Sequence, residues 1–313
     1  MKRRQFITLL GGAAAAGQRA ARAQQPAKQP TIGYLGSSTA LTQGQWTAPF
    51  SQRLRELGWI EGRNIAIEYR WAEGHSERFT EIANEFVRLK VNVIVTIGTP
   101  AVLAAKQVTS AIPIVFAAAV DPVGTGLVTS LVRPGANVTG LSVQGTDLAG
   151  KRIELLREVV PGLRTLAIMA NAGSPAAVLE MSEVQTIART LGIRAAPLEI
   201  RCADDIFESV KGRADALYVC VDGLITTNRV RISTLALGAR LPTMQVSREH
   251  VEAGGLMSYG PYFPDLYRRA ADNVDKILRG TKPDGTCYQD LGPEYFTRRN
   301  PAQAAARSRG QIY

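Results

Sequence analysis

Histidine and cysteine are scarce in this chain, with two of the first and three of the second among 313 residues. His75 and His250 lie far apart and neither stands at a zinc-ligand spacing from a cysteine, so no structural metal site is expected. Each reads as a surface or loop residue. Cys202, Cys220 and Cys287 are odd in number, which gives no complete disulfide framework. Cys220, inside "ALYVCV", reads as a small buried apolar residue. The chain also lacks a G-x-x-x-x-G-K-[ST] phosphate loop and a G-x-S-x-G nucleophile elbow. "GYLGSS", residues 33–38, has too few glycines at the wrong spacing for a dinucleotide fingerprint. No catalytic set is visible, so the reading is of a protein that is not an enzyme and needs no cofactor.

The formal net charge of +10 raises the question of nucleic acid. Its location argues against that. Lys2, Arg3, Arg4, Arg19 and Arg22 stand in the first 23 residues with no acid among them, and carry half of the excess. The remainder is spread without a basic cluster interleaved by aromatics, so no nucleic-acid partner is expected. The opening "MKRRQFITLLGGAAAAG" joins a basic head to a short apolar run, and "ARA" follows at Ala21–Ala23. This is the layout of a secretory signal, cut near Ala23, and the pair Arg3-Arg4 before Phe6 has a twin-arginine look. The apolar run is too short to serve as a permanent membrane anchor. The expected destination is the periplasm.

Beyond residue 30, short β-branched runs alternate with helical stretches. Strands are expected at 31–36, 64–71, 91–98, 112–119 and 137–143, then at 165–170, 193–200, 216–221, 242–246 and 255–260. Helical spacing fills the intervals. Ser76 reads as an N-cap for a helix with Phe79, Ile82, Ala83 and Phe86 on one face. Helices are also expected near 203–211, over 224–238 and over 264–280. Two runs of strand–helix units imply two doubly wound α/β lobes with parallel sheets. Ligands of such sheets bind at the carboxyl ends of the strands. The loops there read "GSSTA", "GTPA", "AAAVDP", "NAGSP", "DGLITTN" and "SRE".

Hydroxyls, glycines and amides dominate those loops. Ser37 and Ser38 follow the first strand. Gly98 and Thr99 follow the third, with Pro100 opening a helix whose free N–H groups suit a carboxylate or phosphate. Thr99 is either a cap alone or a cap and a ligand contact, with the second favoured. Asp121 in "VFAAAVDPVGTGLV" reads as a turn or cap residue. Asp222 is the better candidate to hold an ammonium group, with capping of the following helix as the alternative. Asn228 flanks the same space or faces solvent.

The segments "GTPAVLAAK", "IPIVFAAAVDPVGTGLVTSLVRPGANVTGLS", "KRIELLREVVP", "ALYVCVDGLITTN" and "GGLMSYGPYFPDLYRRAADNVDKILRG" resemble the type I periplasmic substrate-binding proteins of ABC importers. More narrowly, they resemble the group related to tryptophan- and tyrosine-binding receptors. The resemblance covers residues 1 to about 283 and implies two hinged lobes that close on a small ligand. It implies that Ser38, Gly98, Thr99, Ala117 and Ala118 hold and flank a ligand carboxylate from the first lobe. Asn171, Asp222 and Ser247 would act from the second, with Asp222 pairing an α-ammonium and Tyr259 walling a side-chain pocket. The implied partners are a small molecule and a permease in the inner membrane, with the protein itself a monomer. A ligand sensor that signals to a membrane partner is the alternative. The first lobe would take 31–141 and 255–282, and the second 142–254. The segment 283–313, "PDGTCYQDLGPEYFTRRNPAQAAARSRGQIY", departs from the family and is expected to be a disordered tail without a strand.

Overall fold

The computed structural model describes residues 29–130, 135, 137–143, 148–206, 214–283 and 295–298. The export signal, Cys287, most of the helix expected near 203–211 and most of the terminal segment lie outside these residues. Among the described residues no helix is long and apolar enough to cross a membrane, and no cluster of His, Cys, Asp and Glu could hold a metal ion.

Two sheets form two lobes. In the first, β1 (Thr31–Gly36), β2 (Ala66–Trp71), β3 (Val93–Thr96), β4 (Ile114–Val120) and β5 (Val138–Val143) run parallel in the order β2-β1-β3-β4-β5. The second holds β6 (Thr165–Asn171), β7 (Arg194–Ile200), β8 (Ala216–Val219), β9 (Thr243–Gln245), β10 (Met257–Gly260) and β11 (Tyr295–Arg298). Its order is β11-β10-β9-β8-β6-β7. Strands β3, β4, β5, β6 and β8 are buried along their whole length, as expected of apolar runs covered on both faces.

The helices α1 (Ala40–Glu56), α2 (Arg78–Leu89) and α3 (Thr99–Val108) belong to the first lobe. The helices α4 (Ala149–Val159), α5 (Pro175–Thr190), α6 (Gly223–Thr227), α7 (Arg229–Gly238) and α8 (Arg248–Glu252) belong to the second. α9 (Phe263–Leu278) returns to the first lobe and packs on α1. Its Leu266, Tyr267, Ala270, Ala271, Val274 and Ile277 make one apolar stripe, buried with Trp46, Phe50 and Leu54 against one face of the first sheet. Ion pairs tie the exposed side of this helix pair, Arg53 with Asp272 and Arg268 with Glu56. The other face of the sheet is covered by α2 and α3 through Phe79, Ile82, Phe86, Val102 and Ala105. In the second lobe, α4 and α5 cover one face of the sheet and α7 contributes Ile232 and Ala236 to the other.

The structure corrects several expectations. Strand β10 pairs with β9 at Met257–Met244 and Ser258–Gln245, so residues 257–260 belong to the second lobe and the return to the first begins with α9. Residues 295–298 form a strand inside the segment expected to lack one. Tyr, Phe and Thr are good strand formers, and β11 pairs antiparallel with β10, Tyr259 opposite Phe296. Ser76 does not cap α2, whose N-cap position is Glu77 without a side-chain bond. The single helix expected over 224–238 is two helices that break at Asn228, whose Nδ2 donates to Leu224 O at 2.9 Å.

Candidate functional site

Strand order turns around between β1 and β3 in the first sheet and between β6 and β8 in the second. At such points adjacent crossovers leave on opposite faces, and a crevice opens at the carboxyl edge. The loops after β1, β3 and β8 carry Ser37, Gly98 and Asp222, and β6 ends on Asn171. All four line one cavity of about 70 Å3 between the lobes. Trp46, Phe79 and Phe263 add aromatic wall, and Ser174 and Thr226 add hydroxyls from the second lobe.

From the first lobe, the amino end of α3 faces the cavity. Gly98 stands at its N-cap with φ 87°, in the left-handed region that favours glycine, and its N–H donates to Ala118 O at 2.8 Å. The first intrahelical bond runs from Val102 N–H to Gly98 O, so the Thr99 and Ala101 N–H groups precede the ladder. Thr99 is thus the first helical residue rather than the cap, and its Oγ1 donates to Val120 O at 3.2 Å. The β4–β5 pairing slips between Phe116 and Ala119, an irregularity that falls at Ala117 and Ala118 beside the cavity. Ala118 lines the cavity, whereas Ala117 is packed in the core of the first lobe.

From the second lobe, α5 also presents its amino end. Ser174 is its N-cap, and Gly173, Ser174 and Ala176 line the space. Asp222 caps α6, with Oδ1 accepting from Leu224 N–H at 2.8 Å and from Asn171 Nδ2 at 2.9 Å. Burial pushes the Asp222 carboxyl above its ordinary range, while Asn171, the Leu224 N–H and Ser174 pull it down. Among the described residues that line this cavity there is no lysine, arginine or histidine. The arrangement therefore offers one buried carboxylate on the second-lobe wall and helix amino ends from both lobes.

Of the nine residues singled out from the sequence, the structure brings Gly98, Thr99, Ala118, Asn171 and Asp222 to the cavity. It does not bring Ser38, Ala117, Ser247 or Tyr259 there. Ser38 Oγ meets Thr227 Oγ1 at 2.8 Å across the lobes. Ser247 Oγ meets His250 Nδ1 at 2.8 Å. His250 is buried rather than at the surface. Tyr259 packs on the core of the second lobe, and its carbonyl accepts from Arg152 Nε at 2.7 Å. Asp121 takes the turn role expected of it, its Oδ1 accepting from Gly124 N–H at 2.9 Å. Sequence reading missed Trp46, Phe79 and Phe263, because their helical spacing marks a buried face without saying that the face ends at a cavity. The position of Phe79 just after the loop that leaves β2 was the one available signal.

With this geometry in hand, comparison with known proteins is informative. A family model described as ABC transporter substrate binding protein matches residues 45–296. A tyrosine-binding protein of Clostridioides difficile is 27% identical over 234 residues, 74% of this chain and 67% of that protein. The crystal structure of a conserved domain protein from Vibrio cholerae superposes with a TM-score of 0.82 at 26% identity, covering 90% of this chain and 94% of that one. An ABC domain from Streptococcus pneumoniae in complex with L-Trp gives a TM-score of 0.81 at 22% identity, with the same coverage, and shows the shared fold.

Proposed function

Since the chain belongs to the ABC transporter substrate-binding proteins, we propose that it captures an amino acid or a closely related carboxylate between its lobes and delivers it to an inner-membrane permease. Proteins of this family bind rather than transform their ligands, act outside the cytoplasm and work with membrane permeases. The observation that carries the finer reading is the polarity of the cavity. Asp222 supplies a buried carboxylate on one wall, and the amino end of α3 supplies the Thr99 and Ala101 N–H donors on the other. A zwitterion fits that pair, its ammonium group toward Asp222 and its carboxylate toward α3. Trp46, Phe79 and Phe263 suit an apolar or aromatic side chain, in line with the tyrosine-binding relative. Asn171 orients Asp222, and Ala118 leaves room for the ligand beside the β4 backbone.

Ligand bridging stabilises the closed arrangement, which is the form a permease engages. The basic, apolar and small-residue leader at 1–23 supports export to the periplasm with cleavage near Ala23. A thermal-shift screen of the mature protein against amino acids and small carboxylates tests the reading. A ligand at a hundred times its Kd adds about 2.7 kcal/mol to the native state. A rise in Tm confined to one class of amino acid supports it, and a rise only with sugars or other uncharged polyols overturns it.

A further inference from the structure

Among the described residues, side-chain hydrogen bonds at two places join the lobes directly. One links Ser38 Oγ and Thr227 Oγ1 at 2.8 Å. The other runs from the indole Nε1 of Trp46, on α1, to Glu249 Oε1, on α8, also at 2.8 Å. The second is the stronger in kind, because its acceptor is a carboxylate. Its setting is also more constrained. Trp46 is buried and stacks on Phe263 with ring centroids 4.8 Å apart, and Phe263 is the first residue of α9 after the chain returns from the second lobe. Glu249 lies in the first turn of α8, beside Ser247 and His250, whose 2.8 Å bond fixes the entry to that short helix. Glu249 itself does not line the cavity.

We propose that Trp46 and Glu249 form a closure latch, a positioning pair that favours the closed arrangement of the lobes and thereby sets the affinity for any ligand held between them. The indole belongs to the wall of the cavity and to the interlobe bond at once. Seating a ligand beside the ring and closing Glu249 onto its N–H therefore support one another. The energetic consequence is a population effect. Apparent Kd equals the intrinsic value divided by the fraction of protein able to close. Removing the carboxylate weakens every ligand by a similar factor, whatever its chemistry, because no ligand touches Glu249. A charge-assisted bond of this kind corresponds to roughly tenfold or more in affinity.

This inference rests on the family reading but not on the identity of the ligand, and the test separates the two. Small-angle scattering of the mature protein is compared for the parent chain, Glu249→Ala, Trp46→Phe and Glu249→Gln, with L-tyrosine titrated in parallel by calorimetry. Trp46→Phe keeps the ring on Phe263 and removes only the donor. Glu249→Gln keeps an acceptor and removes the charge. The expected result is a larger radius of gyration for Glu249→Ala and Trp46→Phe, with Glu249→Gln between them and the parent. L-Tyrosine binding should weaken in the same order for the two Glu249 variants. Circular dichroism shows whether each variant is folded. Should Ala prove unstable, Gln and Phe still decide the matter. Identical scattering and identical affinity across the folded variants would overturn the latch. Failure of L-tyrosine to bind the parent would count against the amino-acid reading, while the scattering series would still judge the latch.

Discussion

Arg152 Nη1 and Glu180 Oε1 stand 2.7 Å apart in the second lobe, and neither side chain has any exposure to solvent. Tyr218 Oη completes the cluster, donating to Glu180 Oε1 at 2.9 Å and accepting from Arg152 Nη1 at 3.0 Å. Glu180 Oε2 accepts from the Val221 N–H, so the pair anchors the strand end that leads to Asp222. A buried charge stripped of its partner is costly. Glu180→Ala should lower unfolding stability by about 3–5 kcal/mol, measured in urea. The paired replacement Arg152→Met with Glu180→Leu should lose much less. Equal loss in the single and paired variants would show that the ion pair is not what holds this region.

Asp222→Asn preserves an acceptor for the Leu224 N–H but removes the charge. L-Tyrosine should bind roughly tenfold or more weakly to this variant, whereas the analogue that lacks the amine should bind about equally to both proteins. The parent should also lose affinity for the amine as pH falls through the raised Asp222 value, because a protonated carboxyl no longer pairs with ammonium. Calorimetry with the two ligands at two pH values checks both statements.

His250 is buried, and burial, followed by the nearby Arg229 charge, lowers its pKa from 6.5 to about 3. The folded protein thus keeps the imidazole neutral where the unfolded chain protonates it. The stabilisation is present above pH 6.5 and is lost as pH falls toward about 3, by at most about 1.4 kcal/mol for each pH unit. Urea midpoints between pH 7 and pH 4 should fall less steeply for His250→Gln than for the parent. Parallel curves would rule out His250 as an acid-sensitive element.

Ending the chain after Pro283 removes β11 and leaves β10 as a bare edge. Hydrogen exchange at β10 and β9 should quicken by roughly tenfold or more, since several ladder bonds of about 1 kcal/mol are lost. Exchange in β1–β5 should change little. Uniform protection in the shortened chain would mean that β11 adds nothing to the second sheet.

Most of the fold was legible from the alternation of apolar runs and helical spacing. The fully buried strands β3, β4 and β6 and the amphipathic α9 gave the clearest signals, and two lobes followed from two series of units. Membership of each sheet was harder. Nothing in "GLMSYG" says that it pairs with "PTMQV" rather than crossing to the other lobe. "EYFTRR" is too short, and too embedded in polar sequence, to announce a strand. In the site, the positions at strand ends were readable because topology dictates them, as for Gly98, Thr99, Asn171 and Asp222. Side-chain direction was not. Ser38 and Ser247 occupy the expected loops, yet one reaches across to Thr227 and the other back to His250. Hydroxyls bind whichever polar atom the packing offers, and sequence does not reveal which.

Among the described residues the chain changes lobe three times, after β5, before α9 and again before β11. Each lobe is consequently assembled from separated pieces of sequence, and no single cut releases either one whole. A fragment ending at Val143 lacks α9 and exposes the apolar face that α9 covers, while one starting at Leu148 carries α9 with no sheet to cover. Each half has its own core, yet neither is one continuous stretch of sequence. The first lobe's core is thus completed only by residues that follow most of the second lobe in sequence.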